Sequence, residues 1–254
     1  MYPYLFGNEN LEMYYIFIGI GIISAFIIFR HLTSLFDIPT NIYNFYMKLG
    51  AVSIFLGFAF AISFQQVYNY IHFIKSGEEF SFQGMTFFGG LIGGVLTFVL
   101  GTYFFGGREH KNVFWKVCNL GALSIVVAHF FGRIGCTFAG CCYGIETDSI
   151  IGMYFHTVEN KVLPTQLMEA IFLLLVSIFM IILLKKKKEK YLLIFYGFSY
   201  SIWRFIIEYY RGDERGDFLP FFSPSQWQSI LLFIVSLIIT VSTIKYKRIP
   251  FKKD

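Results

Sequence analysis

Charge is what this sequence has least of. Asp, Glu, Lys and Arg together make up 15% of its 254 residues, while 56% are hydrophobic and 21% aromatic. A water-soluble domain of this length cannot hide so much apolar surface, so lipid has to cover part of it. Lys and Arg are missing from the first twelve residues, Met1 to Glu12. A removable signal peptide opens on a positively charged stretch, so the first apolar segment is expected to stay as a helix. The chain also lacks linkers, low-complexity tracts and internal repeats, which argues for one polytopic domain over 1–254. Nor does any segment alternate polar and apolar residues, as a membrane barrel strand must.

What is present is a series of apolar segments of about the 20 residues that cross a bilayer. Seven are read, at 13–29, 46–71, 85–105, 114–131, 166–184, 192–210 and 227–244. A backbone in lipid must satisfy its own hydrogen bonds, so the expected fold is all-α with seven transmembrane helices. Basic residues orient it. With the N-terminus outside and the C-terminus cytoplasmic, fifteen of the 21 Lys and Arg fall on the cytoplasmic side and only Lys75, Lys161, Arg211 and Arg215 on the outer side, as the positive-inside rule requires. The net charge of +5 therefore calls for no nucleic acid, and the run from Lys185 to Lys190 reads as a topology anchor. The loops of unusual composition all fall outside in this topology, so a site should open there.

Two arginines lie within the membrane zone. Arg133, between Gly132 and Gly135 in "GRIG", is costly at that depth unless it meets a counter-charge, a cavity or a lipid headgroup. Its planar fork suits phosphate, and the alternative is an arginine snorkelling to the interface. Arg204, Glu208 and Arg211 in "WRFIIEYYR" are spaced by four and three residues, which places them on one helical face, as a ladder that orients a guanidinium toward a bound anion or as a self-contained ion-pair network. Gln166 and Glu169 in "LPTQLMEA" and Gln226 in "SPSQWQS" start helices near the same face, as cavity-lining or as capping groups. Gly89 and Gly90 in "FFGGLIGG" are either a helix-packing face or a place where backbone approaches a ligand.

The stretch "HFFGRIGCTFAGCCYG" concentrates the remaining chemistry. Cys118 lies upstream of it and reads as a small buried hydrophobe. Cys136, Cys141 and Cys142 sit in glycine-rich sequence expected to be non-helical and extracytoplasmic. A disulfide such as Cys136 to Cys141 and a thiolate nucleophile, with Arg133 lowering its pKa and His129 as base, both remain open. C-x4-C-C is not a usual zinc spacing, so neither a metal nor a cofactor is expected.

Taken together, "GRIGCTFAGCCYG", "GMTFFGGLIGG", "LPTQLMEA", "WRFIIEYYR" and "SPSQWQS" resemble, in order, the sequence blocks of bacterial prolipoprotein diacylglyceryl transferases, over about 14–242. The resemblance implies a multi-pass enzyme of the bacterial plasma membrane. It would move the diacylglyceryl group of phosphatidylglycerol, or a related anionic phospholipid, onto the cysteine thiol of a membrane-tethered prolipoprotein. It also implies that Arg133 with Arg204 or Arg211 contacts the headgroup, that Gly144 closes that pocket and that Tyr14 lines it. The chain departs from the family at three places: Phe88 stands for its histidine, Cys136 for its signature asparagine and Cys141 for its acidic residue. His129 as base or Cys136 as nucleophile would then complete the catalytic set. The alternatives are a diverged member using the same lipid site with another acceptor, and a non-enzymatic lipid-binding or transport protein.

Overall fold

Long apolar runs have one stable backbone solution in lipid, the α-helix, and the computed structural model adopts it throughout. It describes residues 12–77, 82, 84–212 and 221–246, with backbone alone at 72, 75, 76, 87, 88, 245 and 246. The first eleven residues, the segment 213–220 with Arg215, and the C-terminal Lys247, Arg248, Lys252 and Lys253 lie outside the described residues, as does the side chain of Phe88. The helices are α1 (Met13–Leu35), α2 (Thr40–Ser76), α3 (Phe87–Phe105), α4 (Arg108–Ala139), α5 (Thr165–Lys185), α6 (Leu192–Ile207) and α7 (Pro224–Tyr246). Among the described residues there is no strand, only isolated bridges. Five helices, α1, α2, α4, α5 and α7, are long and apolar enough to cross a membrane; the apolar stretch of α3, Gly89–Phe105, is shorter. The chain is an all-helical, multi-pass membrane protein.

Hydroxyl side chains within these helices satisfy themselves locally. Ser53, Thr97, Thr102, Thr137, Ser229 and Ser236 each donate to the carbonyl four residues back, so they can enter apolar segments without orphaned polar atoms. Large side chains such as Phe55, Phe105 and Ile244 are 72%, 83% and 72% exposed, which suits a surface facing acyl chains rather than water.

Several helices run beyond the expected segments, α1 to Leu35 and α2 over Thr40–Ser76 among them, and two boundary differences bear on the site. α4 does not end near Phe131 but runs on to Ala139, carrying Cys136 into helix where non-helical backbone was expected. The glycines do not break it. A side chain at Gly135 would press on the Tyr14 carbonyl, 3.2 Å from the position of its Cβ, so this glycine allows α1 and α4 to approach closely. α6 in turn stops at Ile207, followed by a 3-10 turn at Glu208–Tyr210. Arg211 is extended and bridges to Gly144, and it therefore leaves the face shared by Arg204 and Glu208. The Tyr210 carbonyl accepts from the Ile145 amide at 2.9 Å and the Tyr143 carbonyl from the Gly212 amide at 3.3 Å. The chain after Glu208 pairs with a loop instead of continuing its own helix.

The chain divides into two compact units, Leu35–Phe114 and Met1–Ser34 with Trp115–Asp254. In the first, α2 and α3 meet along glycines. A Cβ on Gly57 would lie 3.1 Å from the Gly90 carbonyl, and one on Gly89 2.8 Å from the Phe60 carbonyl. Gly89 and Gly90 thus occupy a small-residue packing face. In the second unit, α1 lies on α4 through Gly21 against Ala128 and through stacked Phe17 and Phe138. α5 lies on α6 through stacked Phe172 and Trp203, 4.5 Å between centroids, and α6 on α7 through Phe198 and Phe233. At one end of this unit the start of α1, the end of α4, the start of α5, the end of α6 and the start of α7 converge.

Candidate functional site

At that end the buried charges Glu169, Arg204 and Glu208 and the partly buried Arg133 face one another. Glu169, on the first turns of α5, is fully buried. Arg133 of α4 reaches its Oε1 at 2.9 Å and Arg204 of α6 its Oε2 at 3.6 Å. The Tyr200 hydroxyl donates to Oε1 at 2.7 Å, and His129 Nε2 lies 3.8 Å from the same oxygen. Three helices therefore share one carboxylate. An isolated charge in an apolar bundle costs several kcal/mol, and pairing with good hydrogen bonds is what offsets it.

Arg204 is held from two further sides. Its Nη2 sits 2.7 Å from Glu208 Oε2, one helical turn on, and donates to Ser225 Oγ of α7 at 2.8 Å. The Ser223 hydroxyl donates to Glu208 Oε1 at 2.9 Å, and the Ser223 amide donates to Gln226 Oε1 at 3.0 Å. Gln226 thus shapes the start of α7. His129 Nδ1 lies 3.0 Å from the Tyr196 hydroxyl, so both ring nitrogens face polar groups.

Several polar atoms in and around this network are left over. Gln166 is fully buried, and neither atom of its carboxamide has a hydrogen-bond partner among the described residues. Arg133 Nε and Arg204 Nη1 likewise lack hydrogen-bond acceptors there. Native interiors rarely leave such groups unsatisfied, and donors of this kind fit an anionic ligand. An apolar groove lined by Ile202, Phe205, Ile230 and Phe233 runs along α6 and α7.

A second cluster forms where α4 ends. Gly140 and Cys142 both take positive φ, 63° and 67°, turning the chain sharply so that the Sγ atoms of Cys136, Cys141 and Cys142 lie within 4.8 Å of one another. All four cysteines of the chain, Cys118 included, stand as thiols. Hydrogen bonds from Cys136 and Cys141 hold the Cys142 thiol below its ordinary pKa, with the charges of Arg211 and Arg133 acting in the same direction against burial. The Cys141 thiol, hydrogen-bonded to Cys136 and Cys142 and partly buried, is pushed up.

Gly144 locks the loop onto this end. Its amide donates to the Leu163 carbonyl at 2.7 Å. A Cβ there would overlap the Tyr210 carbonyl and stand 2.8 Å from Leu163 Cβ and Thr165 Cγ2. Gly144→Ala is therefore expected to destabilise the protein by about 1–3 kcal/mol, the usual cost of overpacking. Its thermal midpoint in detergent should fall, and proteolysis of the loop between α4 and α5 should accelerate. An unchanged midpoint would show that the backbone here yields freely.

Of the side chains singled out from the sequence, the structure joins Arg133, Arg204, His129, Glu169 and Glu208 in one network with Gln166 beside it. Cys136, Cys141 and Cys142 form the adjoining trio, and Arg211 pairs with Gly144. Tyr14 lies at the α1–α4 contact, while Gly89 and Gly90 belong to the other unit. Sequence reasoning passed over Tyr196, Tyr200, Ser223 and Ser225. The two tyrosines could have been found, because Tyr196, Tyr200, Arg204 and Glu208 recur every four residues and so mark one polar stripe on an apolar helix.

A family model described as prolipoprotein diacylglyceryl transferase matches residues 3–242. The chain is similar to phosphatidylglycerol–prolipoprotein diacylglyceryl transferase 2 of Clostridium perfringens, 36% identical over 165 residues, which are 61% of each protein. It is also similar to the enzyme named phosphatidylglycerol–prolipoprotein diacylglyceryl transferase in Clostridium tetani, 32% identical over 61% of this chain and 63% of the relative. The enzyme of that name in Campylobacter lari is 32% identical over 69% and 62%. The chain thus matches somewhat over three fifths of the length of these relatives.

Proposed function

Because the chain belongs to the prolipoprotein diacylglyceryl transferase family, we propose that it transfers the diacylglyceryl group of phosphatidylglycerol to the cysteine thiol of a membrane-tethered prolipoprotein. The observation that carries this reading is the pair of guanidiniums, the partly buried Arg133 and the buried Arg204, turned onto one buried carboxylate, with the carboxamide of the buried Gln166 unpartnered among the described residues. In the reaction the acceptor thiol gives its proton to water and its sulfur forms a bond to the terminal glyceryl carbon. The bond from that carbon to the phosphate oxygen breaks, and glycerol phosphate leaves with the electron pair. Charge grows on the phosphate as it departs. Donors fixed in a dry site stabilise such charge by about 3 kcal/mol each, and Arg133 and Arg204 are fixed by Glu169, Glu208 and Ser225.

Seven membrane crossings with an external N-terminus and a cytoplasmic C-terminus complete the proposal, in the plasma membrane of a bacterium. That topology opens the converging helix ends, and the site with them, toward the outer leaflet, where phospholipid and a tethered peptide both have access. Acyl chains would lie along the apolar groove of α6 and α7.

A diverged reading, in which the same lipid site serves another acceptor, is favoured by the thiols at Cys136 and Cys141, where the family resemblance leads one to look for an amide and an acid. One assay separates the two. Purified protein is incubated with phosphatidylglycerol and a lipobox peptide, and both are followed by mass spectrometry. A diacylglyceryl mass on the peptide thiol supports transfer to prolipoprotein. Consumption of the lipid with the peptide unmodified selects the diverged reading, and the absence of either change, with cell-envelope acceptors also supplied, rejects enzymatic function.

A further inference from the structure

We infer that Cys136, Cys141 and Cys142 bind a thiophilic divalent ion, zinc being the best fit, and leave its fourth coordination position to the acceptor thiol; the second half of this inference rests on the transferase reading above. Linear spacing spoke against a metal. In three dimensions the objection disappears, because the last turn of α4 supplies Cys136 and the left-handed residues Gly140 and Cys142 fold the next two thiols back toward it. Three sulfurs on a tetrahedral zinc stand about 3.8 Å apart, given zinc–sulfur bonds of about 2.3 Å. The trio, with its Sγ atoms within 4.8 Å of one another, needs to contract by no more than about 1 Å.

The turn is held, not loose. The Cys141 amide donates to the Cys136 carbonyl at 3.3 Å, and the Cys142 carbonyl accepts from Thr165 Oγ1 at 2.8 Å. A non-glycine residue in left-handed conformation costs free energy and persists where its surroundings enforce it. Charge is consistent as well. Three thiolates around a divalent ion leave one net negative charge, and the Arg133 and Arg211 guanidiniums act on Cys142.

Among the described residues no fourth histidine, cysteine or carboxylate joins the trio. Closed structural zinc sites have four protein ligands, whereas three with one position open is the pattern of sites that bind a reactant. A thiol entering that position gives its proton to solvent, since a coordinating thiol is bound as thiolate. Its sulfur pair then attacks the glyceryl carbon, glycerol phosphate leaves with the electrons of the broken carbon–oxygen bond, and the thioether product, a neutral and weaker ligand, departs. Nothing is oxidised or reduced. Arg133 lies three residues before Cys136 on α4, on the same side of the helix, which places the phosphate-stabilising group beside the thiol-activating one.

The test uses full-length protein in detergent, stripped of metal by a chelator under reducing conditions and titrated with Co2+ and then Zn2+. Expected is about one equivalent bound, with a thiolate-to-cobalt charge-transfer band that zinc abolishes. Loss of outer-shell partners already weakens metal sites by about 10–100-fold. Each of Cys136→Ser, Cys141→Ser and Cys142→Ser should therefore weaken binding by about 100-fold or more. His156, whose ring packs against Gly140, serves as control, and His156→Ala should keep the metal. With the unmodified cobalt protein, a cysteine-containing lipobox peptide should shift the cobalt spectrum, while its serine counterpart should not.

Three reactive thiols without stoichiometric binding would overturn the inference, as would two thiols that react only after reduction, which means a disulfide. Loss of metal in His156→Ala would overturn the open position. Diacylglyceryl transfer by metal-free protein sinks the inference and leaves the transferase reading standing. A cobalt spectrum that responds to the peptide thiol, with no transfer, sustains the site and sinks that reading.

Discussion

Replacing Glu169 with Gln is expected to be the most damaging single change for stability, lowering it by about 3–5 kcal/mol, the range for removing one partner of a buried ion pair. The shape of the side chain is preserved, so the cost is electrostatic. Arg133 loses its only carboxylate among the described residues, at 2.9 Å, and Arg204 keeps Glu208 but loses its 3.6 Å contact. Tyr200, which donates to the same oxygen, keeps an acceptor in the amide. A loss of this size is a large share of the stability of an ordinary domain. The check is the thermal midpoint in detergent, read with and without phosphatidylglycerol. If the arginines form a phosphate site, the anionic lipid should raise the midpoint more in Glu169→Gln than in the parent, because the headgroup supplies the missing negative charge. A variant as stable as the parent would mean that the guanidiniums are neutralised elsewhere.

The centrality of Glu169 could not be read from the chain. In sequence it is one polar residue at the start of an apolar segment, as consistent with capping as with a site, and its partners lie 36 positions before and 35 after it. The i to i+4 pairs were legible because helical periodicity is local: His129 with Arg133, and Arg204 with Glu208. The extension of that pattern to Arg211 failed for a tertiary reason, since the backbone after Glu208 finds hydrogen bonds with the loop around Gly144 and gives up its own helix. Helix identity was legible in the apolar runs, yet the end of α4 was not. Glycine and cysteine after Arg133 suggested a break, whereas in a helix packed against α1 those small residues permit close contact. The thiol trio was hidden for the opposite reason: its convergence depends on two left-handed residues that no spacing rule anticipates.

The largest effect on turnover is expected at Arg133. It can be told from a merely structural effect by comparison with Arg204. In Arg133→Ala, Glu169 keeps Arg204 and the Tyr200 hydroxyl, so no bare buried carboxylate is created and the fold should survive. What is lost is a guanidinium with an unpartnered Nε among the described residues, and kcat/KM for transfer should fall by about 100–1,000-fold, the range for deleting one donor to a developing oxyanion. Arg133→Lys should recover only part of this, because an ammonium carries the charge without the two-pronged geometry that grips phosphate. Arg204→Ala instead strips partners from Glu208, Glu169 and Ser225 at once. It should cost stability as well as turnover, through the unpaired Glu208 in particular. Measuring thermal midpoint and kcat/KM side by side for the three variants separates the roles. Equal losses of stability in Arg133→Ala and Arg204→Ala would make the network a structural ion cluster, whereas intact stability with collapsed turnover in Arg133→Ala alone assigns that guanidinium to the phosphate.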